Sequence, residues 1–172
     1  MDVGARTNLP RWSESPPEPD PRARYHTLVS FGPDATAVAD TWASSAASLG
    51  TPVRRLHADR FGSCIAGALE GHLAAAKVGW RLMLVGPEVD VLAAQALALT
   101  FGAIPAEIRA HATSANCRRV RCAHCVLTTE ADVPVGETLS CPGCGHTLMV
   151  HHHLSRYHAA YLGFHADDEV AP

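Results

Sequence analysis

The order of apolar runs predicts an α/β protein: a small parallel-sheet, Rossmann-like layer, then a module built on four cysteines, then a short C-terminal helix. Three observations carry this. Strand-like and helix-like runs alternate from Tyr25 to Ala112. The run Arg81–Gly86 (RLMLVG) is almost wholly apolar, as in a strand buried on both faces of a parallel sheet. Two Cys-x-x-Cys pairs stand close together in the second half of the chain.

The first strand is Tyr25–Phe31 (YHTLVSF), closed by Gly32-Pro33-Asp34. Asp34 sits where an N-cap belongs, ahead of an Ala-rich helix over Ala35–Leu49 that Gly50 ends. Thr51–Ala58 reads as the second strand. The second helix is expected over Asp59–Lys77, with Ile65, Leu69, His72, Leu73 and Ala76 at helical spacing and Gly79-Trp80 as its break. Arg81–Gly86 is the third strand. Pro87 follows at a first helical position, and Glu88–Phe101 is the third helix. Ala106–Ala112 is the fourth strand candidate. Strands alternating with helices give a parallel sheet with right-handed crossovers.

Before this layer, residues 1–23 hold Pro10, Pro16, Pro17, Pro19 and Pro21 among Ser and Glu, the composition of a disordered, extended arm. Trp12 is its one large apolar anchor. The division expected is therefore an arm over 1–23, an α/β domain over 24–113, and a cysteine domain over 114–172. Within the last, Ser114–Arg121 reads as a basic linker, and His151–Phe164 as a helix with Leu154, Tyr157, His158 and Tyr161 at helical spacing. Asp167, Asp168 and Glu169 form an acidic tail.

Hydrophobic residues make up 47% of the 172, enough for a real core. Fourteen Lys and Arg against seventeen Asp and Glu leave no basic surplus, which argues against nucleic acid as a partner. No run reaches the roughly 18 apolar residues of a membrane span. The N-terminal stretch carries Arg6, Arg11, Glu14 and Glu18 and lacks the apolar centre of a signal peptide. A cytoplasmic location is the expectation, and there cysteines serve as ligands or free thiols rather than disulfides.

The pairs are Cys122-Ala-His-Cys125 and, fifteen residues on, Cys141-Pro-Gly-Cys144-Gly145. Each is a tight turn that aims two sulfurs at one point, and two such turns make a tetrahedral S₄ site. Zn²⁺ is the first expectation, in a zinc ribbon with rubredoxin-like knuckles. Iron is the alternative, because tetrahedral S₄ suits it too. Four thiolates close the shell, so the metal is expected to be structural and no catalytic residue is assigned. Cys117 lies outside knuckle spacing and reads as a free thiol. Cys64 reads as a small buried residue in the second helix.

Eleven histidines are many for this length. His124 and His146 sit in the knuckles, placed to hydrogen-bond or cap them. His151, His152, His153 and His158 read as surface residues, with a second metal or haem ligand as the alternative. The turn after the first strand lacks GxGxxG, so no pyrophosphate cradle is visible. The run Leu82-Met-Leu-Val-Gly-Pro87 and its helix nevertheless resemble the late part of ferredoxin-reductase-type nucleotide domains, which leaves a nucleotide-binding reductase component open.

The run C-A-H-C, C-P-G-C-G, Thr147–Val150, a His-rich step, Leu154-Ser-Arg156 and Ala159-Ala-Tyr-Leu-Gly163 resembles the DmmA-like small subunit of bacterial dimethylamine monooxygenase, over residues 122–169. The resemblance implies an accessory subunit of a haem-dependent oxidative N-demethylase complex. Its partners would be a haem-binding oxygenase subunit and a flavin and iron–sulfur reductase subunit, with haem, flavin and cluster on those partners only. Such complexes oxidise secondary methylamines with O₂ and NADPH and release formaldehyde. This chain departs from the pattern at Val126 and at His151–His153, where another His and a mixed run are expected. Arg118, Arg119, Arg121 and Arg156 are the candidate docking charges. A rubredoxin-like electron carrier is the competing reading, followed by a nucleotide-dependent enzyme and a zinc-ribbon nucleic-acid binder.

Overall fold

A computed structural model describes residues 8–166. The described residues divide into two units: Trp12–Ser114 forms one, and residues 115–166 with residues 8–11 form the other.

The first unit holds strands β1 (Tyr25–Phe31), β2 (Val53–Ala58), β3 (Trp80–Pro87) and β4 (Ile108–Ser114), and helices α1 (Thr36–Ser48), α2 (Ser63–Ala74) and α3 (Glu88–Thr100). The strands form one sheet in the order β2-β1-β3-β4, every pair parallel. Strand direction in sequence reverses at β1, which sends α1 to one face and α2 and α3 to the other. Alternate residues of the central strands serve the two faces. Leu28, Met83 and Val85 pack with Ala39 and Trp42 of α1. Val29, Phe31, Leu82 and Leu84 pack with Ile65, Leu69 and Leu73 of α2 and with Val91, Ala94 and Ala98 of α3. Double coverage explains the unbroken apolar run of β3.

Several boundaries differ from the sequence reading. Asp34 lies inside a short 3₁₀ turn, Pro33–Ala35, and Ala35 is the N-cap of α1. The stop at Gly50 is a Schellman arrangement: Gly50 N–H donates to Ala47 O and Thr51 N–H to Ala46 O, both 2.9 Å. Helix α2 begins at Ser63, not Asp59. Arg60 and the Phe61 amide are held by the Asp90 carboxylate at 3.1 and 2.9 Å, which keeps that stretch a loop. Pro87 closes β3 and is the N-cap of α3 in extended backbone, one position ahead of the one expected.

The proline-rich segment is tied to this unit from Trp12. The Trp12 indole N–H donates to Glu88 Oε2 at 2.6 Å. The Asp20 carboxylate is 4% exposed, accepts from the Arg22 amide at 3.0 Å and pairs with Arg81 Nε at 2.9 Å.

The second unit is all β: β5 (Cys117–Cys122), β6 (Thr128–Asp132), β7 (Thr138–Ser140), β8 (Thr147–Ser155) and β9 (Ala160–His165), in the order β6-β5-β9-β8-β7. Two expectations are corrected here. The stretch read as a basic linker is β5, a strand paired with β6 on one side and β9 on the other. The C-terminal helix expected over His151–Phe164 is a hairpin, β8 against β9. Leu154 and Tyr161, seven apart, suit one helical face equally well as a cross-strand pair, and here they are that pair. Tyr157 stands 75% exposed at the turn. Gly163 fits this arrangement: a Cβ there would come within 2.6 Å of Val120 Cγ1 in β5, so glycine lets β9 lie this close to β5 without displacing Val120.

Between Val150 and Leu154 the β8–β9 register shifts. Three residues of β8, His151, His152 and His153, stand where β9 has one, Leu162, and all three are exposed, so the histidine run is an irregular bulge. The acidic tail at Asp167–Glu169 lies outside the described residues.

Candidate metal centre

Each cysteine pair sits at the turn of its own hairpin. The first links β5 to β6, and the second links β7 to β8. The turns are alike in their backbone bonds. In the first, Val126 N–H donates to Cys122 O (3.0 Å) and Cys122 N–H to Leu127 O (2.9 Å). In the second, Gly145 N–H donates to Cys141 O and Cys141 N–H to His146 O, both 2.9 Å. Each closes with a residue in the left-handed region, Gly145 at φ 76° and Val126 at φ 58°. Glycine takes that conformation freely, whereas a β-branched residue is strained there. Strand β9 lies between the two hairpins and brings the turns together.

All four sequence-assigned ligands meet. The Sγ atoms of Cys122, Cys125, Cys141 and Cys144 lie within 4.8 Å of one another. Cys122 and Cys144 are 3.8 Å apart, and Cys125 and Cys141 3.5 Å. A tetrahedral cation with metal–sulfur bonds near 2.3 Å requires edges of about 3.8 Å. The spacing therefore fits a four-coordinate thiophilic ion, and it fits zinc and iron alike. Cys122 and Cys141 are buried against Leu148, so the sulfurs also make up part of the local core.

The thiols do not titrate alike. The backbone amides of Cys144 and, against some burial, Gly143 lower Cys141 to about 6. At Cys144 the His146 amide pulls downward, but burial and the hydrogen-bonded thiols of Cys141, Cys125 and Cys122 push it up to about 12. Cys125 also rises: the Leu127 amide opposes this, and burial with the Cys141 and Cys122 thiols prevails. Crowding thus raises the cost of ionising Cys125 and Cys144, which a dication bound at the tetrad would offset.

The other sequence-assigned residues are dispersed. Cys117 starts β5, half-buried and outside the tetrad, and Cys64 is exposed in the first turn of α2 rather than buried. His151, His152, His153 and His158 belong to no metal-sized cluster among the described residues. Arg118 is held within its own unit: its guanidinium donates to Val133 O at 3.0 Å and lies 5.8 Å from the centre of the Tyr161 ring. His146 caps the second knuckle as expected, with Nδ1 3.3 Å from Cys144 Sγ. Sequence reasoning missed His165, whose ring lies 4.9 Å from that of His146. It arrives through the β8–β9 register, and no local spacing could have signalled it.

In the α/β unit, the strand ends where such folds cradle phosphates carry the chain's own groups. Gly86 approaches Phe31 so closely that a Cβ would meet its carbonyl oxygen at 2.8 Å. The first turn of α3 carries Glu88 and Asp90, both buried, with Trp12 bonded to the former.

Two cysteine knuckles on the hairpins of one five-stranded sheet define the second unit as a cysteine-knuckle domain. Residues 119–164 match the family described as dimethylamine monooxygenase subunit DmmA-like, C-terminal domain. The resemblance read from the knuckles agrees with this match over residues 119–164. Over 92 residues the chain is 39% identical to the heme-dependent oxidative N-demethylase delta subunit of Ectopseudomonas mendocina (strain ymp), a stretch covering 54% of this chain and 51% of that protein. The chain spans about half the length of the curated relative it matches. No solved structure matches. No helix among the described residues is long and apolar enough to cross a membrane.

Proposed function

We propose that this chain is an accessory subunit of a haem-dependent amine monooxygenase, acting on dimethylamine-type substrates by oxidative N-demethylation. The observation that carries the reading is the DmmA-like match over residues 119–164, which spans both knuckles. A relative sharing 39% identity is named as one subunit of a heme-dependent oxidative N-demethylase. In this reading the α/β unit is a Rossmann-like scaffold and the second unit a zinc ribbon. Cys122, Cys125, Cys141 and Cys144 hold Zn²⁺ as a clasp, because four thiolates leave the ion no open position. Haem, flavin and iron–sulfur cluster reside on the partner subunits, and the complex is cytoplasmic. Arg119, Arg121 and Arg156 are the docking charges. Arg118 is set aside because its guanidinium serves Val133 O.

The test is affinity capture of the full chain from its native host. Haem absorbance and a flavoprotein in the eluate, in fixed ratio to the chain, are the expected result. Isolation as a stable species with neither would overturn the assignment. Charge reversal at Arg119 and Arg121 should weaken that capture. The second reading, an electron carrier, is favoured by one observation: sulfur–sulfur edges of 3.5–3.8 Å suit iron as well as zinc. Elemental analysis separates the two, since a colourless, zinc-loaded protein removes the electron carrier.

A further inference from the structure

The knuckles bring together a second set of donors. His124 is the third residue of the first knuckle and exposed, and His146 follows the second knuckle by two residues. Their donor atoms and Cys144 Sγ all lie within 4.8 Å of one another. The two imidazole rings are 4.3 Å apart at their centres and tilted by 55°. The His165 ring lies 4.9 Å from that of His146 at a steep angle, 79°. These three rings, with Ala123, Leu148 and Phe164, line an open cavity of about 430 Å³.

We propose that His124 and His146, with the sulfur of Cys144 as a bridge, form a second cation site for a borderline-to-soft ion of the zinc or copper type. Three arguments support it. The donor set, two imidazoles and a thiolate, selects such ions over magnesium or calcium. The separation of His146 Nδ1 and Cys144 Sγ, 3.3 Å, suits a shared ion. With bonds near 2.1 Å to nitrogen and 2.3 Å to sulfur, that separation subtends about 97° at the metal, an angle a distorted tetrahedral or a square-planar ion accepts. Finally, a dication in four thiolates leaves a net charge of about −2, and a metal-bound thiolate retains lone pairs. A cation beside Cys144 is thus drawn by charge and has an orbital to meet. The cavity leaves a coordination position open, which the closed S₄ shell does not.

The competing account is a simple hydrogen bond from His146 to the Cys144 sulfur, with no second ion. The proposal rests on the clasp reading through Cys144 alone, and the experiment separates the two. The metal-free full chain is titrated anaerobically with Co²⁺ and followed by absorbance. Thiolate charge-transfer bands report the S₄ site and d–d bands report each new tetrahedral ion. The expected result is two successive phases, one ion each. In His124→Gln the first phase is unchanged and the second is weakened at least tenfold. The variant H124Q/H146Q should lose the second phase entirely. Exposure of His124 makes the single variant safe for folding. A wild-type titration that stops after one phase overturns the second site, and the charge-transfer intensity of that phase still tells whether the clasp stands. A second phase that survives in both variants also overturns it. If the first phase shows no thiolate charge transfer, the clasp reading fails, and the shared sulfur of this proposal fails with it.

Discussion

Replacing Asp20 by Asn probes how the proline-rich segment is fastened to the α/β unit. The backbone amide of Arg22 lowers the Asp20 carboxyl to about 2, and the Arg81 guanidinium adds to this against the cost of burial. The ordinary value is 3.8. Each pH unit of such a shift is worth about 1.4 kcal/mol, so the carboxylate contributes about 2 kcal/mol at neutral pH. The sign follows from the depression. The contribution is complete above about pH 4, where the unfolded chain is ionised, and it is lost as pH falls toward 2. Asn keeps one acceptor but no charge, and Arg81, 20% exposed, loses its partner. The assay is urea unfolding followed by tryptophan emission. Trp12, Trp42 and Trp80 all lie within Trp12–Ser114, so the signal reports this unit alone. Asp20→Asn should lower stability by about 2 kcal/mol at pH 7, and the gap to wild type should close as pH approaches 2. A gap below about 0.5 kcal/mol at pH 7, or one that does not change with pH, would refute the reasoning.

Three more outcomes follow from the second unit. Val126→Gly should stabilise it by about 1 kcal/mol in thermal unfolding, because valine at φ 58° is strained and its side chain is 59% exposed. Gly163→Ala should destabilise it by about 1–3 kcal/mol or more, since the new Cβ falls 2.6 Å from Val120 Cγ1 and 3.1 Å from Leu148 Cδ1; circular dichroism melts measure this. Acidification should release the clasp metal, because protons compete for thiolates, and a zinc-sensitive dye should register more release as pH falls. Retention of the metal at pH 3 would count against thiolate ligation.

The parts legible in the sequence were those whose signal is local. Strand β1 was read at its true bounds because Tyr25–Phe31 is a compact apolar run between turn residues. The clustering of the four cysteines was legible because each knuckle is a four-residue turn and its geometry travels with its spacing. What escaped was decided by distant strands. Strand β5 contains Arg118, Arg119 and Arg121 and reads as a solvated linker, but Val120 and Cys122 alternate inward once β9 lies beside them. The hairpin β8–β9 was hidden for a related reason: Leu154 and Tyr161 meet a helical period by accident, and only the pairing across the sheet selects the strand. His165 could be placed in the histidine cluster only after that register was known.

The position of β9 also bears on what a bound metal would contribute to this unit. Strand β9 carries Gly163 against Val120, so at this point β9 packs backbone rather than a side chain against β5. Around the knuckles the buried cluster is Cys122, Cys141 and Leu148, two of the three being cysteines of the tetrad. Apolar burial of that extent offsets only a few kcal/mol of chain entropy. The strained turn at Val126 subtracts from it. Structural zinc in peptide-sized domains contributes about 10–16 kcal/mol of apparent binding energy at neutral pH, which exceeds both deficits. A dication bound by the tetrad would therefore order the knuckle turns. The histidines that flank them, His124 and His146, would be ordered with them, so the proposed second cation would follow the first. Its affinity should fall with every change that loosens the tetrad, Cys141→Ser among them, while the reverse should not hold: H124Q/H146Q leaves all four thiolates in place and should leave the first ion where it is.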